Sequence, residues 1–181
     1  MKFSFVLPAL LATALAGPLT AHTKRDAAAV SAAIGTIETR LTTFNNTLNT
    51  FGASPSLLNA LSVQTASNNV QTALTDATAA ANSSAPFDDA GSAQVAQDIL
   101  ELQPQINSVL DNVVAKKPAF DSVQNGALNG LVSQSLQDQK SGAAAFGDAV
   151  TAKLTPTYAA QAPAINQAIQ AKFDEAIAAY A

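Results

Sequence analysis

The chain has 181 residues, a formal charge of −4 at neutral pH, one histidine and no cysteine. The lack of cysteine excludes disulfides, and a single histidine cannot build the usual zinc site of several histidine and cysteine ligands. An acidic chain is also poorly suited to nucleic acid, whose phosphates attract positive charge. With 48% hydrophobic and 12% charged residues, this composition favours apolar contact over ionic chemistry.

The first 16 residues predict a secretory signal peptide. Lys2 precedes an apolar run over residues 3–15, and the sequence ALA at 14–16 has the small-residue pattern of a cleavage site. The run is shorter than the roughly 20 residues that a membrane span needs. We therefore expect cleavage after Ala16 and a secreted protein without a transmembrane segment.

Residues 17–25 are interpreted as a propeptide in an extended conformation. They end in the dibasic pair Lys24-Arg25, after which a processing protease is expected to cut. The mature domain would then be 26–181. It has neither histidine nor cysteine, and its six basic and thirteen acidic residues give a net charge of −7.

Residues 30–51 predict the first helix of this domain. Their large apolar residues recur at alternating intervals of four and three, the spacing of one helix face. We expect Asp26 to be the N-cap and Gly52 and Pro55 to end the helix. The members of the stripe are Val30, Ile34, Ile37, Leu41, Phe44, Leu48 and Phe51.

Two further helices are predicted next along the chain. The second is expected to start at a Ser54 cap and to fade into a loop over residues 77–86. The third is expected to be capped by Asp88 or Asp89 and to bend, without breaking, at Pro104. Its apolar face comprises Val95, Ile99, Leu102, Ile106, Val109 and Val113.

The remaining chain predicts two more helices. A segment over about 118–154 is the least regular, because it contains four glycines, and a kink or break is expected in residues 137–147. The last helix is expected to start near Thr155-Pro156, with Pro163 shifting its effective start. No sustained alternation predicts a strand. The fold class is therefore all-α, an antiparallel bundle of about five amphipathic helices.

Pairs of neighbouring carboxylates are the remaining candidates for catalysis. A hydrolase built on such a pair stays open as an alternative, but helix caps and solvated faces account for these residues more simply. The sequence thus predicts no catalytic residue, no metal site and no cofactor. The pairs are Asp88/Asp89, Asp98/Glu101 and Asp174/Glu175.

An apolar ligand is the partner that the helix pattern favours. A bundle of small and branched apolar residues, interrupted by proline and glycine, can leave an internal cavity. A surface with few charges also loses little on contact with an oily interface. The predicted contact residues are Ile34, Ile37, Leu41, Phe44, Leu48, Val95, Ile99, Leu102, Ile106, Val109, Phe120, Ile165, Ile169 and Phe173.

Two sequons predict N-glycosylation in a secreted chain. They are Asn45-Asn46-Thr47 and Asn82-Ser83-Ser84.

Three stretches carry a resemblance to a fungal family. They are KRDAAAVSAAIGTIETRLTTFNNTLNTF, AQDILELQPQINSVLDNVVAKKPAF and QDQKSGAAAFGDAVTAKL. With the leader and the lack of cysteine, they resemble the hydrophobic-surface-binding protein A family, which is similar to the cell-wall galactomannoprotein antigens of moulds. The resemblance covers essentially the whole chain after Arg25.

The resemblance implies a small secreted helical protein that adsorbs to hydrophobic surfaces and recruits a polyester hydrolase such as cutinase. The mannoprotein relatives imply a fatty acid bound inside the bundle. The sequence lacks a Ser/Thr-rich tail or anchor signal, which favours a freely secreted form. A structural or antigenic wall mannoprotein without a specific ligand remains the alternative.

Overall fold

The computed structural model describes residues 18–181, with side chains from residue 26 onward. All regular elements in this part of the chain are helical, so the predicted all-α fold class is confirmed. A 3₁₀ turn at Gln124–Gly126 separates the fourth and fifth helices. The helices are α1 (Pro18–Ala53), α2 (Leu57–Ser83), α3 (Asp89–Ala115), α4 (Lys117–Ser122), α5 (Asn129–Thr151), α6 (Pro156–Ala159) and α7 (Ala162–Ala179).

Five long helices, α1, α2, α3, α5 and α7, form the bundle. Around the core, α1 contacts α2 and α3, α2 contacts α5, and α7 contacts both α5 and α3. This order closes a ring of neighbours around a single apolar core. Cross-helix hydrogen bonds that advance in the same direction along both partners show that α1 is parallel to α3 and α2 is parallel to α5.

The predicted stripe of α1 is the centre of that core. Each of its seven residues, from Val30 to Phe51, is at most 5% exposed. Two contacts across the α1–α3 interface support the packing: Gln105 Nε2 donates to Glu38 Oε1 at 3.0 Å, and Asn112 Nδ2 donates to a side-chain oxygen of α1 at 2.7 Å. The 4-3 spacing therefore correctly identified a buried face.

The hydroxyl groups on the outer faces of α1 form hydrogen bonds within their own helix. Five threonine hydroxyls donate to the carbonyl oxygen four residues earlier, at 2.8–3.1 Å. A hydroxyl that donates to its own helix in this way needs fewer hydrogen bonds from water. These residues are Thr36, Thr39, Thr43, Thr47 and Thr50.

The start of α1 differs from the prediction. The helix begins at Pro18, so Asp26 lies inside it and is not an N-cap, and the expected extended stretch before Asp26 is helical from Pro18 onward. An apolar stripe locates a buried face but not where the helix begins. The predicted signal peptide with its cleavage site at Ala16 lies outside the described residues, and cleavage after Lys24-Arg25 stays a prediction.

The limits of α2 and α3 are partly as predicted. The N-cap of α2 is Ser56, not Ser54, and its oxygen accepts from the Asn59 N–H at 3.2 Å. The helix continues through residues 77–83, which were predicted as loop, because buried alanines there pack against the core. Asp88 caps α3 as predicted, its Oδ1 accepting from a backbone N–H at 2.7 Å.

The second half of the chain breaks at a different place from the one predicted. The expected irregularity at residues 137–147 is absent, and α5 runs continuously through them. The break lies instead at Gln124, Asn125 and Gly126, whose φ angles of 51°, 55° and 80° cannot belong to a right-handed helix. Pro163 lies in the first turn of α7, so its predicted effect on the start of the last helix is confirmed.

Over the described residues, we find no helix with the length and hydropathy to cross a membrane.

Candidate functional site: an apolar cleft between α2 and α5

An apolar cleft opens into the bundle between α2 and α5, with α1, α3 and α4 at its base. It contains a cavity of about 90 Å³, and the empty space including its open mouth is about 630 Å³. None of its lining residues is charged. The lining consists of Phe44, Leu48, Leu57, Ala60, Leu61, Val63, Gln64, Ser67, Val113, Phe120, Leu128, Leu131, Val132, Ser135, Leu136 and Gln139.

Exposed leucines surround the mouth of the cleft. Leu57, Leu61 and Leu131 line it and are 47%, 58% and 59% exposed, and Leu58, beside them on α2, is 73% exposed. We call these four residues the leucine rim. Single exposed leucines are ordinary on protein surfaces, but a cluster at the mouth of an apolar cleft indicates a contact site.

The rim lies in an uncharged part of the molecule. Residues 41–75 and 122–137 contain no aspartate, glutamate, lysine or arginine. Those ranges include the end of α1, most of α2 and the start of α5. The surface around the mouth is therefore formed largely by hydroxyl, amide and aliphatic groups.

Two pairs of polar side chains cross the cleft from α2 to α5. Near the mouth, Gln64 Nε2 donates to Ser135 Oγ at 3.2 Å. Deeper in, Gln139 Nε2 donates to the Oγ of Ser67 at 2.8 Å and to its carbonyl oxygen at 3.3 Å. Both Ser67 and Gln139 are about 5% exposed or less. The inner pair is thus a buried polar contact in apolar surroundings.

Two smaller cavities lie elsewhere in the bundle. The inner cavity, of about 20 Å³, continues from Gln139 into the core and is bounded by α1, α2, α3, α5 and α7. The distal cavity, of about 30 Å³, lies between α3, α5, α6 and α7. Both are lined mainly by aliphatic side chains.

The predicted contact residues are divided among these spaces. Three of them, Phe44, Leu48 and Phe120, line the cleft. Leu41, Ile106, Val109 and Phe173 line the inner cavity, whereas Ile99 and Ile165 line the distal cavity. The others, Ile34, Ile37, Val95, Leu102 and Ile169, are buried in the core. Ligand contact by any of these residues stays a prediction.

Most of the cleft wall was not predicted from the sequence. Most of the predicted contact residues lie on α1 and α3, whereas this apolar cleft lies between α2 and α5. The available signal was the clustering of Leu57, Leu58 and Leu61 on more than one face of α2, because one buried face cannot accommodate all three. The other lining residues that were not predicted are Ala60, Val63, Val113, Leu128, Leu131, Val132 and Leu136, with the polar Gln64, Ser67, Ser135 and Gln139.

The carboxylate pairs have structural partners away from the cleft. Asp88 caps α3, and Asp98 accepts from Gln94 Nε2 at 2.7 Å. On α7, Asp174 accepts from Lys140 Nζ, and its neighbour accepts from Lys172 Nζ at 2.9 Å. Within the part of the chain that the structure describes, no group of three potential metal ligands is found.

The two predicted glycosylation sites differ in their surroundings. Asn82 is exposed at the end of α2. Asn45 is half-buried, and its side-chain oxygen accepts from Asn112 Nδ2 at 2.7 Å. Occupancy at both sites stays a prediction.

The closed ring of helices and the uncharged cleft define the class, a helical-bundle binding protein. The chain belongs to the hydrophobic surface binding protein A family, whose sequence model matches residues 27–152. As a member of this family it is a binding protein and not an enzyme. None of the curated proteins compared with the chain is a significant match.

Solved structures have the same fold. The protein AfMP4p, determined in complex with palmitic acid, is 30% identical with a TM-score of 0.81, and the match covers 86% of this chain and 99% of that one. Ligand-binding domain 1 of the Penicillium marneffei MP1 protein, complexed with arachidonic acids, is 16% identical with a TM-score of 0.79, covering 87% and 99% of the two chains. Domain 2 of that protein, complexed with multiple arachidonic acids, is 18% identical with a TM-score of 0.77, covering 85% and 95%. The two MP1 matches concern the fold alone.

Proposed function

We propose that this protein binds an acyl-chain lipid, such as a free fatty acid, in the cleft between α2 and α5. The observation that carries the proposal is an uncharged, leucine-rimmed cleft in a chain that is 30% identical to a protein determined with palmitic acid. An acyl chain presents only aliphatic surface. Its binding to an apolar wall is favoured mainly because that surface is removed from water.

The size of the cleft implies that it widens on binding. Its cavity of about 90 Å³ is well below the range of about 300–1,000 Å³ for small-molecule pockets. A long chain must therefore displace part of the wall. The 3₁₀ turn at Gln124–Gly126, which joins α4 to α5, is the connection that would absorb such a movement.

The polarity of the cleft supports one orientation of the ligand. Burying an ionised carboxylate among apolar groups costs far more than burying a methyl end. The carboxylate would therefore remain at the mouth, where the Ser135 hydroxyl accepts from the Gln64 amide and keeps its own proton to donate. The hydrocarbon tail would extend inward past Val132 and Leu136.

Binding can be tested by native mass spectrometry and by displacement of a fluorescent fatty acid with palmitic acid. Val132→Trp adds an indole to the cleft wall and is expected to weaken palmitic acid binding at least tenfold. Val114→Trp is the matched control, because Val114 is exposed on α3 and does not line the cleft. Equal affinity of the two variants, or no uptake by the unmodified protein, would refute the proposal.

Adsorption to hydrophobic surfaces is the second function that we propose. It is supported by the leucine rim and by the uncharged ranges 41–75 and 122–137 around it. Contact with an apolar solid would desolvate few ions there, and the threonine hydroxyls of α1 already bond to their own helix. Adsorption through such a surface should depend little on salt.

Polystyrene beads provide the test of adsorption. Replacing all four rim leucines by serine is expected to leave most of the protein in solution. Leu100→Ser is the control, because Leu100 is 52% exposed but lies beside the distal cavity. Unchanged adsorption of the four-leucine variant would place the contact elsewhere.

Secretion and enzyme recruitment complete the proposed function. We expect the secreted protein to begin at Asp26, and mass spectrometry that finds Gly17 at the N-terminus would refute the second cut. Recruitment of a polyester hydrolase of the cutinase type predicts that bead-bound protein retains a purified cutinase that bare, blocked beads do not. A wall mannoprotein without a ligand would instead remain in wall fractions and take up no fatty acid.

A further inference from the structure

The cleft and the inner cavity occupy successive levels of the bundle and meet at one side chain. On α5 the cleft is lined from Leu128 to Gln139, and the inner cavity from Gln139 to Ala143. The same order is found on α2, where residues within 57–67 line the cleft and Val70 and Leu74 line the inner cavity. Because α2 and α5 run parallel, the two spaces follow one another along the bundle axis.

The side chain between the two spaces is held in place by a hydrogen bond to the facing helix. Gln139 Nε2 donates to Ser67 Oγ at 2.8 Å and to Ser67 O at 3.3 Å, so the amide spans from α5 to α2. The walls on both sides of this contact are apolar, with Leu136 in the cleft and Val70 and Phe173 in the inner cavity.

We propose that the Gln139–Ser67 pair is a partition that limits the length of acyl chain that the cleft admits. This inference rests on the proposed function, since it requires an acyl ligand in the cleft. A chain that stops before Gln139 leaves the pair intact. A longer chain must turn the amide aside to enter the inner cavity.

Turning the amide aside has a cost that shorter chains avoid. The donor group of Gln139 would lose its partner in a region too apolar to replace it, and such a loss typically reduces binding by about tenfold or more. The affinity for fatty acids should therefore rise with chain length, as more methylene groups leave water, and stop rising once the tail reaches Gln139. The inner cavity adds four residues of α5, or about 6 Å of depth.

The double variant Ser67→Ala/Gln139→Ala tests the partition, because removing both partners leaves neither one unpaired. Affinities are measured for decanoic, dodecanoic, palmitic and stearic acids. We expect stearic acid to bind about tenfold more tightly than to the unmodified protein, and decanoic acid to change less than twofold. Gln64→Ala/Ser135→Ala is the matched control. It removes the same two residue types from the mouth, where the carboxylate is proposed to bind, so it is expected to weaken all four acids by a similar factor and to leave the preferred length unchanged.

A second variant tests the partition without disturbing it. Ala143→Leu fills the inner cavity, which the ligand of the unmodified protein does not reach, so affinities for all four acids should remain within twofold. A selective loss of palmitic and stearic acid binding in this variant would overturn the proposal, and so would an unchanged length profile in the double variant. If the unmodified protein binds no acid of any length, the proposed function fails as well. If it binds them and only the length profile fails to move, the partition alone is refuted.

Discussion

The hydroxyl group of Tyr180 donates a 2.7 Å hydrogen bond to the backbone carbonyl oxygen of Val113. This bond joins the end of α7 to the last turns of α3. The Tyr180 ring packs edge-on against the Phe120 ring, with 5.9 Å between the ring centroids. The centroids of the Phe120 and Phe51 rings are 4.3 Å apart. Val113 and Phe120 both line the cleft, so the C-terminal residues of the chain support the base of the proposed ligand site.

Replacing Tyr180 by phenylalanine should destabilise the protein by about 1 kcal/mol, because the carbonyl oxygen of Val113 loses the Tyr180 hydroxyl and keeps only the longer bond from the Lys116 N–H, while the ring packing is kept. Urea unfolding followed by circular dichroism measures the change. Tyr158→Phe is the control, as Tyr158 is half-buried beside the distal cavity, and it should change stability less. Equal effects of the two variants would contradict a special role for the Tyr180 hydroxyl.

The same tyrosine predicts a loss of stability in alkali. Burial raises the pKa of Tyr180 above the ordinary value of 10, with a smaller contribution from the nearby negative charge of Asp121. Because the folded pKa is raised, the stabilisation is complete below the unfolded pKa of about 10 and is lost as the pH rises above it.

A Tyr158→Phe background isolates this effect, since the chain has two tyrosines. The ultraviolet absorbance of phenolate should then appear together with unfolding. A normal phenolate titration at pH 10 with the fold intact would be the contrary result.

Two glycines of the long helices should respond in opposite ways to alanine. At Gly91 an added Cβ would lie 2.8 Å from the Cβ of Ala27, an atom fixed to the backbone of α1, so Gly91→Ala should cost about 1–3 kcal/mol. At Gly35 nothing lies within 4 Å, and Gly35→Ala should stabilise α1 by roughly 0.5–1 kcal/mol. Thermal unfolding of the two variants, compared with the unmodified protein, measures both changes in stability. A stabilised Gly91→Ala protein would mean that α1 and α3 are less closely packed there.

Glycan occupancy should be greater at Asn82 than at Asn45. Asn82 is exposed at the end of α2, whereas the Asn45 side chain bonds to Asn112 between α1 and α3. Expression in a fungal host, deglycosylation with an endoglycosidase and peptide mass spectrometry measure both sites. An Asn82→Gln variant that retains all of its glycan mass would contradict this order.

The sequence was sufficient for features that depend on near neighbours along the chain. The 4-3 spacing from Val30 to Phe51 correctly marked the buried face of α1, and the position before an apolar run limited the cap of α3 to Asp88 or Asp89, of which the structure has Asp88. It was less reliable for helix ends. Buried alanines prolong α2 to Ser83, and their burial depends on contacts that a local pattern does not encode.

The tertiary structure alone decided where the cleft lies and what crosses it. Each helix shows an apolar face, but the lateral order of five such helices depends on how whole surfaces interlock. It is this order that places α2 beside α5 and brings Gln139 to Ser67, 72 residues away in the sequence. The residues that form an apolar helical bundle could therefore be predicted from the sequence. The opening between α2 and α5, and the single polar contact that divides it from the inner cavity, exist only once the helices have packed.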